Sequence, residues 1–189
     1  MAVTGIDGSG KTYLASRFAE ILQQADLRVA LINIDGWLNL PLVRFSGQNA
    51  ALNFYEHAIR FDELFRTLVL PLKAGRHAEV EADFVEETAT AYRRRTYTFE
   101  DIDLILLEGI YLLKRQFQQL YDLSVWIDCT FDTALERAIE RGQEHLPSEE
   151  VIRAYQTIYF PAQRIHFERD DPRRAASLIF PNDPRIQSD

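Results

Sequence analysis

The chain has one cysteine among its 189 residues, Cys129, so an internal disulfide and a cysteine-built metal cage are both excluded. In the setting Trp126-Ile127-Asp128-Cys129 that residue reads as a packed, unreactive thiol. No apolar run approaches the roughly 20 residues a bilayer-spanning helix requires, so no membrane partner is expected. Basic residues are in deficit, with 21 Lys and Arg against 29 Asp and Glu and a net charge of −8. A surface of that sign suits neither duplex DNA nor bulk RNA, and the short run Arg93-Arg94-Arg95 does not reverse it. That run reads as a solvated hairpin face, with an acidic substrate as the alternative. Glycine and proline are also few, 8 and 7, and apolar residues reach 47%, the balance of an ordinary folded globule. Only the tail beyond Pro181 is expected to lack order.

What is present alternates strand with helix, the pattern of an α/β protein with a parallel sheet. Met1–Thr4 would be a short first strand, and Leu14, Phe18, Ile21 and Leu22 recur at helical spacing up to about Ala25. Arg28–Asn33 reads as a second strand. Residues 50–70 read as one helix that Pro71 should stop or kink, and alternation within 77–99 predicts an exposed hairpin. Ile102–Leu107 and Leu123–Ile127 read as buried strands. Helices are expected over 133–141 and 148–160, the latter resuming after Pro161, and Ser177–Phe180 as a last strand. The whole chain is expected to form one domain, with a substrate-side insertion at about 36–100 and a lid at about 132–168.

Between the first strand and first helix lies Gly5-Ile6-Asp7-Gly8-Ser9-Gly10-Lys11-Thr12, which satisfies G-x-x-x-x-G-K-[ST] in the strand–loop–helix context that gives the pattern its meaning. Gly8 and Gly10 permit backbone conformations a Cβ would obstruct, so successive N–H groups can face phosphate oxygens. The helix that follows adds its positive end. Lys11 places a point charge near the β- and γ-phosphates, and the Thr12 hydroxyl is suited to Mg²⁺. Asp7 and Ser9 shape the loop. ATP and Mg²⁺ are therefore the expected cofactors. With this loop starting at residue 5 no leader is expected, and the cytoplasm is the expected compartment. Two acids end predicted strands, Asp35 after Ile34 and Glu108 after Leu107. Ligands of open α/β sheets gather at such ends, so one acid is a candidate base for an attacking hydroxyl and the other a candidate magnesium partner.

An ordered set of segments resembles the uridine kinase/phosphoribulokinase family: Gly5–Thr12, Asp35-Gly36-Trp37, Phe61-Asp62, Leu72–Gly75, Asp83-Phe84 and Leu107-Glu108-Gly109-Ile110. The resemblance spans nearly the whole chain and implies a P-loop NTPase-type parallel sheet flanked by helices, with a small lid and a substrate-side hairpin. It implies Asp35 as general base, Lys11 and Thr12 at phosphate and magnesium, and Glu108 as the magnesium-associated acid. It also implies Arg137 and Arg141 as lid arginines that stabilise charge on the transferred group, with a solvated helix face as the alternative reading.

Its departures bear on the substrate. The acidic-His-Pro type of segment before Phe61-Asp62 reads Asn53–Arg60, Tyr-Asp-Phe has become Ala82-Asp83-Phe84, and Glu86-Glu87-Thr88 stands where a histidine should follow. Asp35-Gly36-Trp37-Leu38 is closer to pantothenate kinases. The expected activity is thus transfer of the γ-phosphate to a hydroxyl of a nucleoside-, sugar- or pantothenate-like metabolite other than uridine. A homo-oligomer is compatible with the sequence. A thymidylate-kinase-like enzyme would share the loop but need an Asp-Arg-aromatic motif, which is missing; a GTPase would need Asn-Lys-x-Asp, also missing. A non-catalytic nucleotide-binding regulator is the remaining alternative. His57, His77, His145 and His166 show no ligand spacing, Tyr92, Tyr97 and Phe99 read as packing or pocket aromatics, and Arg173 and Arg174 fall where an adenine loop is expected.

Overall fold

The computed structural model describes residues 1–86, 88–142 and 147–186. Five strands, β1 (Ala2–Gly5), β2 (Val29–Asn33), β5 (Leu104–Gly109), β6 (Ser124–Asp128) and β7 (Leu178–Pro181), form one parallel sheet in the order β2-β5-β1-β6-β7. Two strands, β3 (Ala78–Phe84) and β4 (Arg93–Phe99), make the separate antiparallel hairpin. The central strands are buried along their length, as their unbroken apolar runs require when helices cover both faces. On one face Val3, Leu106, Val125 and Ile127 pack with Ala15 and Ala19 of α1 (Lys11–Gln24). The other face holds the larger core, including Trp37, Phe54, Leu64, Leu68, Tyr111 and Trp126. Among the described residues no helix is long and apolar enough to cross a membrane.

Register decides where the chemistry lies. Thr4 is level with Gly109, and Asn33 with Glu108, so the carboxyl ends of β1, β2 and β5 open together onto one edge.

Two expectations about helices are corrected. The expected helix 50–70 is broken: Ala50–His57 ends, and the chain leaves helix at Ala58–Arg60 because that segment hydrogen-bonds Trp37–Asn39 instead. Asn39 N–H donates to the Ala58 carbonyl and Arg60 N–H to the Trp37 carbonyl, both at 2.9 Å. Pro71, in turn, does not stop the next helix. Phe61–Leu64, a wide π-turn at Phe65–Val69 and Leu70–Gly75 run on as one element. The same device, a π-turn at Tyr155–Tyr159, carries Ser148–Ala154 into Phe160–Asp170 past Pro161. A proline lacks the N–H of an i→i−4 bond and crowds the preceding turn, and a wider turn just before it accommodates both defects.

Asn182 and Asp183 are also more tightly held than expected after Pro181. Asn182 N–H donates to the Asp128 carbonyl, and buried Asp183 accepts from the backbone N–H of Thr130 at 2.7 Å and the hydroxyl of Thr133 at 2.8 Å.

Candidate active site

The phosphate-loop residues sit between β1 and α1. Gly8 (φ 79°) and Gly10 (φ 87°) occupy the left-handed region, where a side chain would be strained. A Cβ on Gly8 would also lie 2.5 Å from the carbonyl oxygen of Ala134, so the loop is pressed directly onto the helix Phe131–Arg141. Gly10 is the N-cap of α1 and brings no side-chain oxygen, and no acid stands in the first turn. The first-turn N–H groups thus keep their positive end for an outside anion. Lys11 is buried, its ammonium 3.9 Å from Asp7. Asp7 is fixed in turn by the Gly8 N–H at 3.0 Å and by the hydroxyl of Tyr155 at 3.0 Å. The carbonyl of Ser9 accepts from Asn182 at 2.8 Å and from Arg137 at 3.3 Å.

Across the strand ends, Thr12 and Glu108 meet: the hydroxyl lies 3.2 Å from both carboxylate oxygens. Glu108 is 1% exposed, and burial pushes its carboxyl up to about 7, against the pull of Lys11. Gly109 makes this possible. Its φ is 152°, and a Cβ there would come within 2.2 Å of Ile34, so only glycine lets β5 end against the turn that follows β2. That turn, Ile34–Trp37, is capped by Asn33, whose Oδ1 accepts from the Asp35 N–H at 2.7 Å. Gly36 brings it against the hairpin, since a Cβ would stand 3.0 Å from the Phe84 ring and 3.1 Å from the Tyr97 hydroxyl. Asp35 faces a cleft of about 700 Å³ that it shares with Asp7, Lys11, Thr12, Arg44 and Arg141. Asp35 is exposed on the cleft wall, and its carboxyl is drawn up by desolvation, with Lys11 the main opposing charge and Asp7 adding to the rise.

The donor set suits magnesium. A hydroxyl and a desolvated carboxylate are hard oxygens, and a divalent cation would relieve the charge burial that holds Glu108 near neutrality. Among the described residues no group of three or more His, Cys, Asp or Glu forms a closed metal cage. Mg²⁺ commonly needs none, taking one or two protein oxygens with phosphates and waters.

The two arginines of the helix Phe131–Arg141 divide. Half-buried Arg137 lies on the Ser9 carbonyl and 3.7 Å from the Cys129 sulfur, whereas exposed Arg141 opens on the cleft. Cys129 is half-buried and its thiol is pushed up to about 11 by desolvation, in keeping with a packed, unreactive group. Of the histidines, His166 is fully buried with Nδ1 2.6 Å from Asp170, His77 contacts the Gly75 carbonyl, and His57 is exposed beside Glu56. His145 lies outside the described residues, as does Glu87. Arg173 binds Asp128 at 2.8 Å. Arg93, Arg94 and Arg95 are all exposed, as expected of a solvated hairpin face, and Arg95 also borders the cleft with its guanidinium over the Phe84 and Tyr97 rings. Arg44, Tyr155 and Asn182 carried no sequence signal; each reaches the site only by packing.

This geometry agrees with comparison to known proteins. Residues 1–146 match the family model for the phosphoribulokinase/uridine kinase family. The chain belongs to that family. It is accordingly an ATP-dependent small-molecule kinase, a phosphotransferase with a hydroxyl as acceptor. Family relatives include a uridine kinase of Macrococcus caseolyticus, 30% identical over 188 residues, covering 96% of this chain and 86% of that protein. Among solved structures, one described as a possible uridine kinase from Bacillus stearothermophilus superposes with TM-score 0.75 at 21% identity, covering 95% and 86% of the two chains. Phosphoribulokinase from Rhodobacter spheroides gives 0.68 at 14%, covering 98% and 71%. At those identities the structures support the fold alone. It is a parallel P-loop kinase sheet flanked by helices.

Proposed function

We propose that this kinase transfers the γ-phosphate of ATP to a hydroxyl of a small metabolite other than uridine, with Asp35 as the base. One observation carries the reading: Asp35, Lys11 and Thr12 line one cleft, and Glu108, level with Asn33 on the neighbouring strand, meets the Thr12 hydroxyl from the adjoining one. Lys11 and the open N-terminus of α1 hold the phosphates. Asp35 takes the proton of the acceptor hydroxyl as its oxygen attacks the γ-phosphorus and the bond to the leaving ADP oxygen breaks. Arg141 adds positive charge beside the transferred group, while Arg137 acts through the loop by bracing the Ser9 carbonyl. Thr12 and Glu108 are the residues that would hold magnesium, which when bound offsets charge on the phosphates.

Uridine is set aside because the family's base-reading positions are Ala82 and the run 86–88 here, and Phe84 is instead sandwiched with arginines. An acidic chain with a soluble kinase fold fits the cytoplasm and a small-molecule partner.

The test is ADP release across a panel of hydroxylated metabolites that includes uridine, with Asp35→Asn as the variant. Asparagine keeps the shape but cannot accept the proton, so kcat should fall roughly 10²–10⁴-fold while ATP-induced stabilisation persists. Near-full activity in Asp35→Asn would place the base elsewhere, and efficient turnover of uridine at micromolar concentration would overturn the substrate reading.

A further inference from the structure

The residues that follow β7 are pinned from two sides. The Asn182 N–H donates to the Asp128 carbonyl at 2.9 Å, at the end of β6. Buried Asp183 accepts from the Thr130 N–H at 2.7 Å and the Thr133 hydroxyl at 2.8 Å, at the start of the helix Phe131–Arg141. With its backbone held in this way, the Asn182 side chain has one polar partner among the described residues: its amide nitrogen donates to the Ser9 carbonyl at 2.8 Å. Gly10 leaves room for the contact, since a Cβ there would lie 2.5 Å from that nitrogen.

A trans peptide is planar and points its C=O and N–H in opposite directions. The Ser9–Gly10 peptide is trans, so whatever fixes the Ser9 carbonyl also aims the Gly10 N–H the other way. That N–H has no hydrogen-bond partner among the described residues and stands just before α1, where it is one more donor at the positive end of the helix. Glycines at 8 and 10 give this stretch wide backbone freedom, and a peptide turned over would present a carbonyl to phosphate in place of a donor. Ser9 is fully buried, so its carbonyl depends on the two side chains that reach it. Arg137 does so at 3.3 Å and is shared with the Cys129 sulfur. Asn182 gives the shorter contact, from a pinned backbone. We infer that Asn182 is a positioning residue for phosphate binding, holding the Ser9 carbonyl outward so that the Gly10 N–H faces the phosphates before nucleotide arrives. This rests on the reading above that the loop holds the phosphates. The base of the nucleotide should not matter, because the aimed peptide serves the phosphate chain alone.

Gly10 and Gly47 are the two glycines that follow a serine. Protein labelled with ¹³C at serine carbonyls and ¹⁵N at glycine therefore gives two carbonyl–amide correlations by NMR, and exposed Gly47 serves as the control. In the absence of ligand, Asn182→Ala should shift or broaden the Ser9–Gly10 signal and leave Ser46–Gly47 in place. Calorimetry with Mg²⁺ then compares a non-hydrolysable ATP analogue with inorganic tripolyphosphate, which has no base. Asn182→Ala should weaken both by the same roughly 3- to 10-fold, the worth of one neutral hydrogen bond. Asn182→Leu, which fills the space without a donor, should behave alike, and an unaltered melting temperature shows that either variant folds.

An unmoved Ser9–Gly10 signal in the ligand-free variants would overturn the inference, as would unchanged affinity for tripolyphosphate. Weaker binding of the ATP analogue alone would assign Asn182 to the base and also overturn it. Wild type supplies a check that needs no variant to fold. Saturating tripolyphosphate should move the Gly10 N–H to lower field, the mark of a new hydrogen bond, and a signal that stays in place would refute the aimed peptide. Wild type that binds neither ligand strikes the phosphate-loop reading itself and this inference with it, a result distinct from normal binding in wild type and variants alike, which strikes the inference alone.

Discussion

Glu108 offers a quantitative test of the site's electrostatics without any substrate. Its carboxyl has an ordinary value of 4.5 and is pushed to about 7 in the folded protein, chiefly by desolvation. Between those pH values the folded chain keeps a proton that the unfolded chain has released. The folded state is therefore favoured most below pH 4.5, loses stability as pH climbs to about 7, and carries the full penalty above it. At about 1.4 kcal/mol per pH unit the penalty is about 3 kcal/mol, and at 1% exposure solvent does little to screen it. Glu108→Gln removes the charge and keeps the shape. Without nucleotide or metal, the variant should match wild type near pH 4.5 and melt higher at pH 8, by roughly 6–12 °C for a chain of this size. The two melting curves would be followed by circular dichroism from pH 4.5 to 8, the difference between them cancelling all other titrations. Saturating Mg²⁺ and ATP should then reverse the order, since wild type has the carboxylate that the cation relieves. A Glu108→Gln protein no more stable than wild type at pH 8 would refute the claim that this carboxylate is buried at a cost.

Lys11→Ala should remove most of the rise in melting temperature that millimolar ATP with Mg²⁺ gives wild type; an equal rise in both proteins would show that the loop is not where the nucleotide binds. Gly109→Ala places a Cβ 2.2 Å from Ile34 at a φ of 152°, so it should lower stability by roughly 2–4 kcal/mol and displace Glu108. Wild-type denaturant midpoints for Gly109→Ala would mean that the close approach of β5 to the turn is not required.

Much of the site was legible because its residues are bound to local backbone geometry. The phosphate loop needs glycine at positive φ, a lysine and a threonine at fixed offsets, and those demands are written consecutively in residues 5–12. Asp35 and Glu108 were legible because each ends an apolar run, and strand ends on a parallel sheet share one edge. The alternation of strand and helix, the hairpin at 78–99 and the helix Phe131–Arg141 followed from periodicity. What periodicity could not supply is any choice made by distant partners. Helix 50–57 stops because Trp37–Asn39 competes for its backbone groups, and two helices pass a proline because a wide turn forms in context. Arg93, Arg94 and Arg95 are one word in the sequence, yet carboxylates on β3 and beyond it neutralise two, while Phe84 and Tyr97 turn the third into the cleft. Tyr155 and Asn182 lie about 150 and 170 residues from the loop groups they bind. Local stereochemistry could be read from the chain because it acts between neighbours. The charge and shape of the cleft were decided by packing, which brings together residues that no spacing in the sequence relates.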